Sequence, residues 1–372
     1  MNLFRQLFFF RWLLPALAIL AVSSAWAESV DNLYESEVPV SGQGANARAT
    51  GIRNAFARVL IKVSGDRGLL NNPDLAPLLN KASGFVQQYR YKSLDLPAGN
   101  RSDATPDRLL WARFDTRAVN RQLRKSGIPV WGETRPSMLI WLGEEKGAGR
   151  SLLSPEQKPG LKEQMDQVAY SRGIPLVWPL MDIEDQSAIQ VSDLWGGFEE
   201  SIRRASDRYS PDAILVGRFS YRGGDSWQGK WILYLPDKVK RWQDVANSKQ
   251  ALASEGLEQA ADALALRFAP RHVSQGGINL RLRVHGLTRL ADYVLVQDYL
   301  RSLAMIEQVD LLEAGSEKVD FLLRVQGNRD ALVRGIQLGA VLDPVVSQEN
   351  PPQDQSMIRR VVDGEGLDYR LR

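Results

Sequence analysis

The sequence predicts a multi-domain protein of mixed α/β and α+β class. It comprises a central, three-layer-like α/β unit with a partly parallel sheet and a C-terminal ferredoxin-like βαββαβ unit. Three observations carry this. Apolar runs of strand length alternate with segments of helical period between residues 136 and 236. After residue 277 the order strand, helix, two strands, helix, strand is completed in about 75 residues. The chain has 372 residues, enough for two or three separate cores. The expected divisions are a leader at 1–27, an N-terminal α+β domain at 28–134, the central α/β domain at 135–270, the ferredoxin-like domain at 271–345 and a tail at 346–372.

Along the first unit, Leu33 to Val40 alternates as a half-buried strand. "SGQG" turns into "ANARATGIRNAFARVLIKV", with Ile52, Phe56, Val59, Leu60 and Val63 at helical spacing and Gly65 as its C-cap. A short helix over Pro73–Asn80 is followed by a helix over "KASGFVQQ" and a strand over "YRYKSLDL". "PAGNRSDATPD" is a loop by composition, "RLLWARF" a strand, and Asp115 the N-cap of the helix ending at Gly127. In the second unit "SMLIWLG" reads as a strand, "GLKEQMDQVAYSRG" as a helix, and "IPLVWPLM" as a strand buried on both faces. "DLWGGFEESIRRASDRY" reads as one helix with Leu194, Phe198, Ile202, Ala205 and Tyr209 on its apolar face. "PDAILVGRFSY" and "WQGKWILYLP" form a hairpin, and "SEGLEQAADALALRFA" closes the unit as a helix. In the third unit, strands over "INLRLRVHGL", "EQVDLLEAG", "EKVDFLLRVQG" and Val341–Leu342 enclose helices from Arg289 and Asn328. Ser347 to Gln355 is polar and proline-rich, and "LDYRLR" is expected to add an edge strand.

The first 27 residues read as a cleavable leader. Arg5 and Arg11 give a positive start, "WLLPALAILAV" an apolar stretch too short to span a bilayer, and Ala25-Trp26-Ala27 the small residues of a cleavage site after Ala27. The expected address is the periplasm, with no permanent membrane span after cleavage. The chain carries 47 Lys and Arg against 44 Asp and Glu, and the leader removes two arginines, so a charge of +3 falls to about +1. Neither charge nor address favours a nucleic-acid partner. Cysteine is absent, which excludes thiol catalysis, zinc-thiolate sites and iron–sulfur clusters.

"GQGANA" (Gly42 to Ala47) matches a dinucleotide-binding pattern, but the preceding strand carries Glu35 and Glu37, so it is read as a hairpin-to-helix turn. The two histidines, His272 and His285, lack helical pairing for a metal, and no cofactor is expected. Asp182, Glu184 and Asp185 close the apolar run, and Asp193 stands at the next helix start. In an extended chain Asp182 and Glu184 share a face. Paired carboxylates suit a hard cation or general acid–base work, while a strand leaving a core needs polar residues in any case. Eight tryptophans lie between Trp111 and Trp242. Trp227 and Trp231 face one way in a strand and suit either sugar stacking or core packing. Gly196 and Gly197 inside a helix cost about 2 kcal/mol against alanine, and Trp195 falls beside the apolar stripe, where it suits an aromatic anchor for another protein or a place under the loop carrying Asp185.

"VSG", "RGIPLVWPLMDIEDQ", "DLWGGF", "ASDRYSPDAILVGR" and the W-x₃-W hairpin together resemble the bacterial exported family catalogued as domain of unknown function 2066. That resemblance brings no activity or site residues with it. The middle unit's element order is similar, at fold level, to the N-terminal domain of TolB and to penicillin-binding-protein activator lipoproteins, which are non-enzymatic envelope adaptors. The expected function is a non-enzymatic accessory or adaptor whose partner is another envelope protein, with Asp182, Glu184, Asp185, Asp193, Trp195, Gly196 and Gly197 as candidate interaction residues. The alternatives are a carboxylate-dependent cell-wall hydrolase centred on Asp182, Glu184 and Asp185, and a binding module for peptidoglycan or a small ligand.

Overall fold

The structure is a computed structural model and describes residues 30, 32–94, 106–147, 149–269, 278–315, 317–326, 328–339, 341–345 and 366–372. The leader with its cleavage point, His272 and the Ser347–Gln355 stretch lie outside the described residues.

The first unit runs β1 (Glu35–Val40), α1 (Ala45–Ser64), α2 (Ala76–Asn80), β2 (Val86–Ser93), β3 (Arg108–Phe114) and α3 (Thr116–Lys125). Its antiparallel sheet has the order β1-β3-β2. The predicted stripe of α1, Ile52, Phe56, Val59, Leu60 and Val63, is buried on this sheet. Gly51 permits the approach, since a Cβ there would fall 2.6 Å from Val40 and 2.7 Å from Leu110. Gly65 caps the helix at φ 75°, its N–H bonded to Ile61 O. "GQGANA" follows an antiparallel strand, which suits a turn and not a dinucleotide fold. The helix expected over "KASGFVQQ" is instead a 3₁₀ turn, Ala82–Phe85, with β2 starting at Val86. Phe85 stacks on Phe56 with ring centroids 5.1 Å apart, so packing fixes the chain in the turn.

The central unit contains β4 (Met138–Lys146), β5 (Gly149–Leu152), α4 (Pro159–Arg172), β6 (Leu176–Val177), α5 (Ile183–Ala188), α6 (Val191–Gly196), α7 (Glu199–Ser206), β7 (Ala213–Gly223), β8 (Ser226–Tyr234), β9 (Val239–Ala246) and α8 (Lys249–Phe268). The sheet order is β5-β4-β7-β8-β9, with β6 also on β4. β4 runs parallel to β7 and β6, and the remaining pairs are antiparallel. Met138, Ile140, Leu215 and Trp231 on one face join Leu252, Leu257 and Leu264 of α8 and Met165 of α4. Leu139, Trp141 and Val216 on the other meet Leu194 and Ile202 of α6 and α7. This is the expected three-layer arrangement.

Three expectations change here. "IPLVWPLM" pairs only at Leu176–Val177, because Pro175 and Pro179 lack the N–H a longer ladder needs. The segment from Asp193 to Tyr209 is two helices, broken at Gly197, which takes φ 63° as the C-cap of α6 and bonds back to Asp193 O. Gly197 therefore carries no helix-interior cost, Gly196 stands as the last residue of α6, and Phe198 leaves the stripe with 56% of its surface exposed. β9, whose burial alternates, was not anticipated because its inward positions include Lys240 and Asp244 alongside Trp242.

The third unit runs β10 (Ile278–His285), α9 (Leu290–Ser302), β11 (Ile306–Ala314), β12 (Lys318–Val325), α10 (Arg329–Leu338), β13 (Leu342–Pro344) and β14 (Leu367–Leu371). The ferredoxin-like βαββαβ order is present, with one addition. Sheet order is β11-β12-β10-β14-β13, so "LDYRL" is no edge strand. It inserts parallel to β10 and antiparallel to β13, and buries Leu367 and Tyr369. Alternation of Leu367, Tyr369 and Leu371 turns one face to the core, and β14 separates β13 from β10.

Buried cations mark the seam between the first two units. Arg172 of α4 donates to Gly65 O, at the end of α1, and to Asp262 of α8, and also pairs with Glu258. Arg135, fully buried, donates to the carbonyls of Gly132, Trp131 and Lys62 and lies 3.8 Å over the Trp131 ring. Lys62 Nζ donates to Asn32 O and Glu35 O and sits 3.8 Å over Tyr170. Desolvation pushes Lys62 down to about 7, with the nearby Arg135 charge acting in the same direction.

Candidate functional site

The acids that end the apolar run are gathered on one arginine. Asp182 is the N-cap of α5, its Oδ1 accepting from Asp185 N at 2.9 Å. A helix, not a strand, therefore carries Glu184 and Asp185, and the shared extended face expected for Asp182 and Glu184 does not exist. Arg208, just past α7, donates to Asp182 Oδ1 and Oδ2 at 2.9 and 3.2 Å and to Asp185 Oδ1 at 3.1 Å. Its Nη2 also lies 3.4 Å from Glu184 Oε2.

Asp185 has no exposed surface, and both its oxygens are occupied. Oδ2 accepts from Tyr209 Oη at 2.6 Å and from Met181 N at 2.7 Å. Tyr209 Oη in turn accepts from Leu180 N at 2.9 Å. Met181 is held at φ 54°, a left-handed conformation that costs a non-glycine residue about 1–2 kcal/mol. The Asp185 bond to its N–H fixes it there.

The electrostatics follow the contacts. The hydrogen bond from Arg208 holds Asp182 below its ordinary value, assisted by the Asp185 N–H. Burial, then the bond to Asp185, pushes Tyr209 up to about 12. An acid held ionised by a bidentate arginine makes a poor proton donor. Among the described residues no group of three or more His, Cys, Asp or Glu stands ready for a metal ion.

This clasp fixes a loop that exposes two apolar side chains beside the polar Glu184, Gln186 and Ser187. Ile183 is 84% exposed and Leu180 59%. Asp193 stays outside it, its carboxylate accepting from Gln190 N at 2.7 Å within the α6 capping box. Trp195 is partly buried and lies over Gly143 of β4, with Arg150 5.4 Å from its ring and Arg218 donating to its carbonyl at 2.6 Å. It packs on the sheet with part of its surface exposed. Gly196 is covered by Phe198, whose ring would stand 2.6 Å from a Cβ there. Trp231 is core, sealed between Gly217 and Gly256 and stacked on Trp242 at 6.3 Å. Trp227 instead lies 5.1 Å from the Tyr221 ring, under Lys249.

Sequence reasoning missed Arg208 as the centre of the cluster. It is separated by more than twenty residues from the acids, and only its place in "ASDRY", beside the stripe residue Tyr209, marked it.

A family model described as Domain of unknown function (DUF8605) matches residues 27–132. The exported family resembled on sequence is not the one matched. No curated protein matches the chain. Among solved structures, the N-terminal domain of Thermus thermophilus Protein Y matches with a TM-score of 0.18 at 7% identity, covering 36% of this chain and 97% of that one. The C-terminal domain of LpoB from Salmonella enterica matches with a TM-score of 0.23 at 15% identity, covering 35% of this chain and 93% of that one. At these scores neither likeness bears on fold or function. Among the described residues no helix is long and apolar enough to cross a membrane.

Proposed function

We propose that this chain is an exported, non-enzymatic accessory protein of the bacterial cell envelope, acting by contact with another envelope protein through the loop around α5. The leader-like Arg5, Arg11 and Ala25-Trp26-Ala27 support export, as does the resemblance of "PLMDIED" and "DLWGGF" to the exported family of unknown function 2066. The observation that carries the reading is Ile183, 84% exposed on a helix locked at its base by Asp182, Asp185, Arg208 and Tyr209. An apolar side chain held in place before binding loses little conformational entropy when a partner covers it. The hydrolase alternative loses support, because the carboxylates it requires are engaged by Arg208, Tyr209 and backbone N–H groups.

A photocrosslinker placed at Ile183 in living cells should give a discrete adduct with one envelope protein, and one placed at exposed Glu156 should not. Ile183→Asp should abolish that adduct with an unchanged melting temperature. The proposal fails if both positions give the same background pattern.

A further inference from the structure

A cavity of about 850 Å³ opens between β9 and α8 of the central unit and the first turns of α10 in the third. Five cations line it, Lys238, Lys240, Arg241, Arg267 and Arg334. The carboxylate on its wall, Asp262, is already paired with Arg172 at 2.6 Å and with Arg67 at 2.9 Å. Arg267 is held by Asp237 at 2.6 Å. Arg241 turns its side chain to the other face of the sheet, with Ile232. Lys238, Lys240 and Arg334 form no salt bridge among the described residues, Lys240 Nζ lies 5.2 Å over the Trp242 ring, and Arg334 Nε is buried without a hydrogen-bond partner.

Asn328 and Ala331 add the N-terminal end of α10, a helix of ten residues whose dipole favours negative charge, with the Ala331 N–H capped by the Asn328 side chain and Asp330 in the first turn. The rest of the lining is apolar, including Leu235, Val239 and Ala263. Three cations without a carboxylate partner and a helix N-terminus around one hollow favour an anion that joins them. The volume falls in the range of small-molecule sites, about 300–1,000 Å³, and such sites recur at unit boundaries.

We infer that this cavity binds an anionic amphiphile, a single phosphate or carboxylate head carrying an apolar chain. The head lies among Lys238, Lys240, Arg334 and the start of α10, and the chain against Ala263 and Leu266. Such a ligand touches both the central and the third unit, so its binding ties them together. The surface around Ile183 plays no part in this site.

The test is calorimetric titration of residues 28–372 with decyl phosphate and decanoate, each below its micelle concentration, and with decyl glucoside, inorganic phosphate and a ten-residue glutamate peptide. One of the two anionic amphiphiles should saturate a single site and raise the melting temperature, the tighter of them identifying the head group. Decyl glucoside and inorganic phosphate should each bind at least tenfold more weakly. The Lys240→Gln, Arg334→Gln double variant should weaken the anionic amphiphile at least tenfold and leave decyl glucoside unchanged. Ala263→Trp, which fills the hollow without altering charge, should also weaken it. Equal binding of the neutral amphiphile, wild-type affinity in the double variant, or tighter binding of the glutamate peptide would each overturn the inference.

Discussion

Trp195 points the edge of its indole at Gly143: its Cζ3 and Cη2 occupy the space that a side chain at residue 143 of β4 would need. The pair couples a helix layer to the sheet, so both partners are expected to be sensitive. Trp195→Ala should lower stability by about 2–3 kcal/mol, below the 3–5 of a fully buried tryptophan because this one is partly exposed. Gly143→Val should cost about 1–3 kcal/mol by overpacking. Chemical denaturation of both variants checks this, and an unchanged midpoint for Trp195→Ala would restore its role as a free anchor.

Arg208 should matter more than the acids around it. Arg208→Gln leaves the buried Asp185 carboxylate without its cation, at a cost of about 1–3 kcal/mol. Glu184→Gln, at an exposed position 3.4 Å from the arginine, should change stability by no more than about 0.5 kcal/mol. Denaturation midpoints of the two variants, measured side by side, decide the order.

Lys62 should give the protein an alkaline gain in stability. Its folded value of about 7 lies below the unfolded one of about 10.4, so between those limits the unfolded chain binds more protons. Stability then rises with pH from about 7 towards 10, by on the order of 2–4 kcal/mol. Tyr34, pushed up to about 12 by burial, acts oppositely only above its unfolded value of about 10. Lys62→Met should flatten the rise in melting temperature between pH 7 and 9.5. A variant that keeps the wild-type slope would show that another group carries it.

Tyr369 ties β14 into the third core. It is 2% exposed, and Tyr369→Ala should cost about 3–5 kcal/mol, as for other large aromatic truncations. Limited proteolysis should then cut the third unit first. Preferential cleavage in the first unit would contradict the assignment.

The elements legible in the sequence were those whose pattern is local. The α1 stripe, the Asp115 cap and the strands β4, β7 and β8 declare themselves by period and punctuation. What escaped depends on distant partners. β14 reads as an edge strand until β10 and β13 are placed on either side of it. The acids of residues 182–185 suggest a reactive centre until Arg208 is folded onto them, and Trp195 suggests an anchor until Gly143 is found beneath it. Gly197 is a related case: its spacing fits a helix interior, while its left-handed backbone ends one. β9 escaped because Lys240 and Asp244 alternate with Trp242 and Ala246 on the side that packs against the core.

The position of β14 also governs how the third unit is assembled. β11 and β12 are joined by a short turn, and β10 can dock on β12 while β14 is still unplaced, since its partner Leu282 meets Leu367 only across most of the unit's chain. Of the strand pairings in this unit, that one spans the longest stretch of chain and carries the largest loop-closure entropy. Until it closes, β10 presents a bare row of N–H and C=O groups, a template for any other extended chain. The vulnerable moment of this protein is thus kinetic, and crowding during folding, more than heat afterwards, is where strand exchange and aggregation would start.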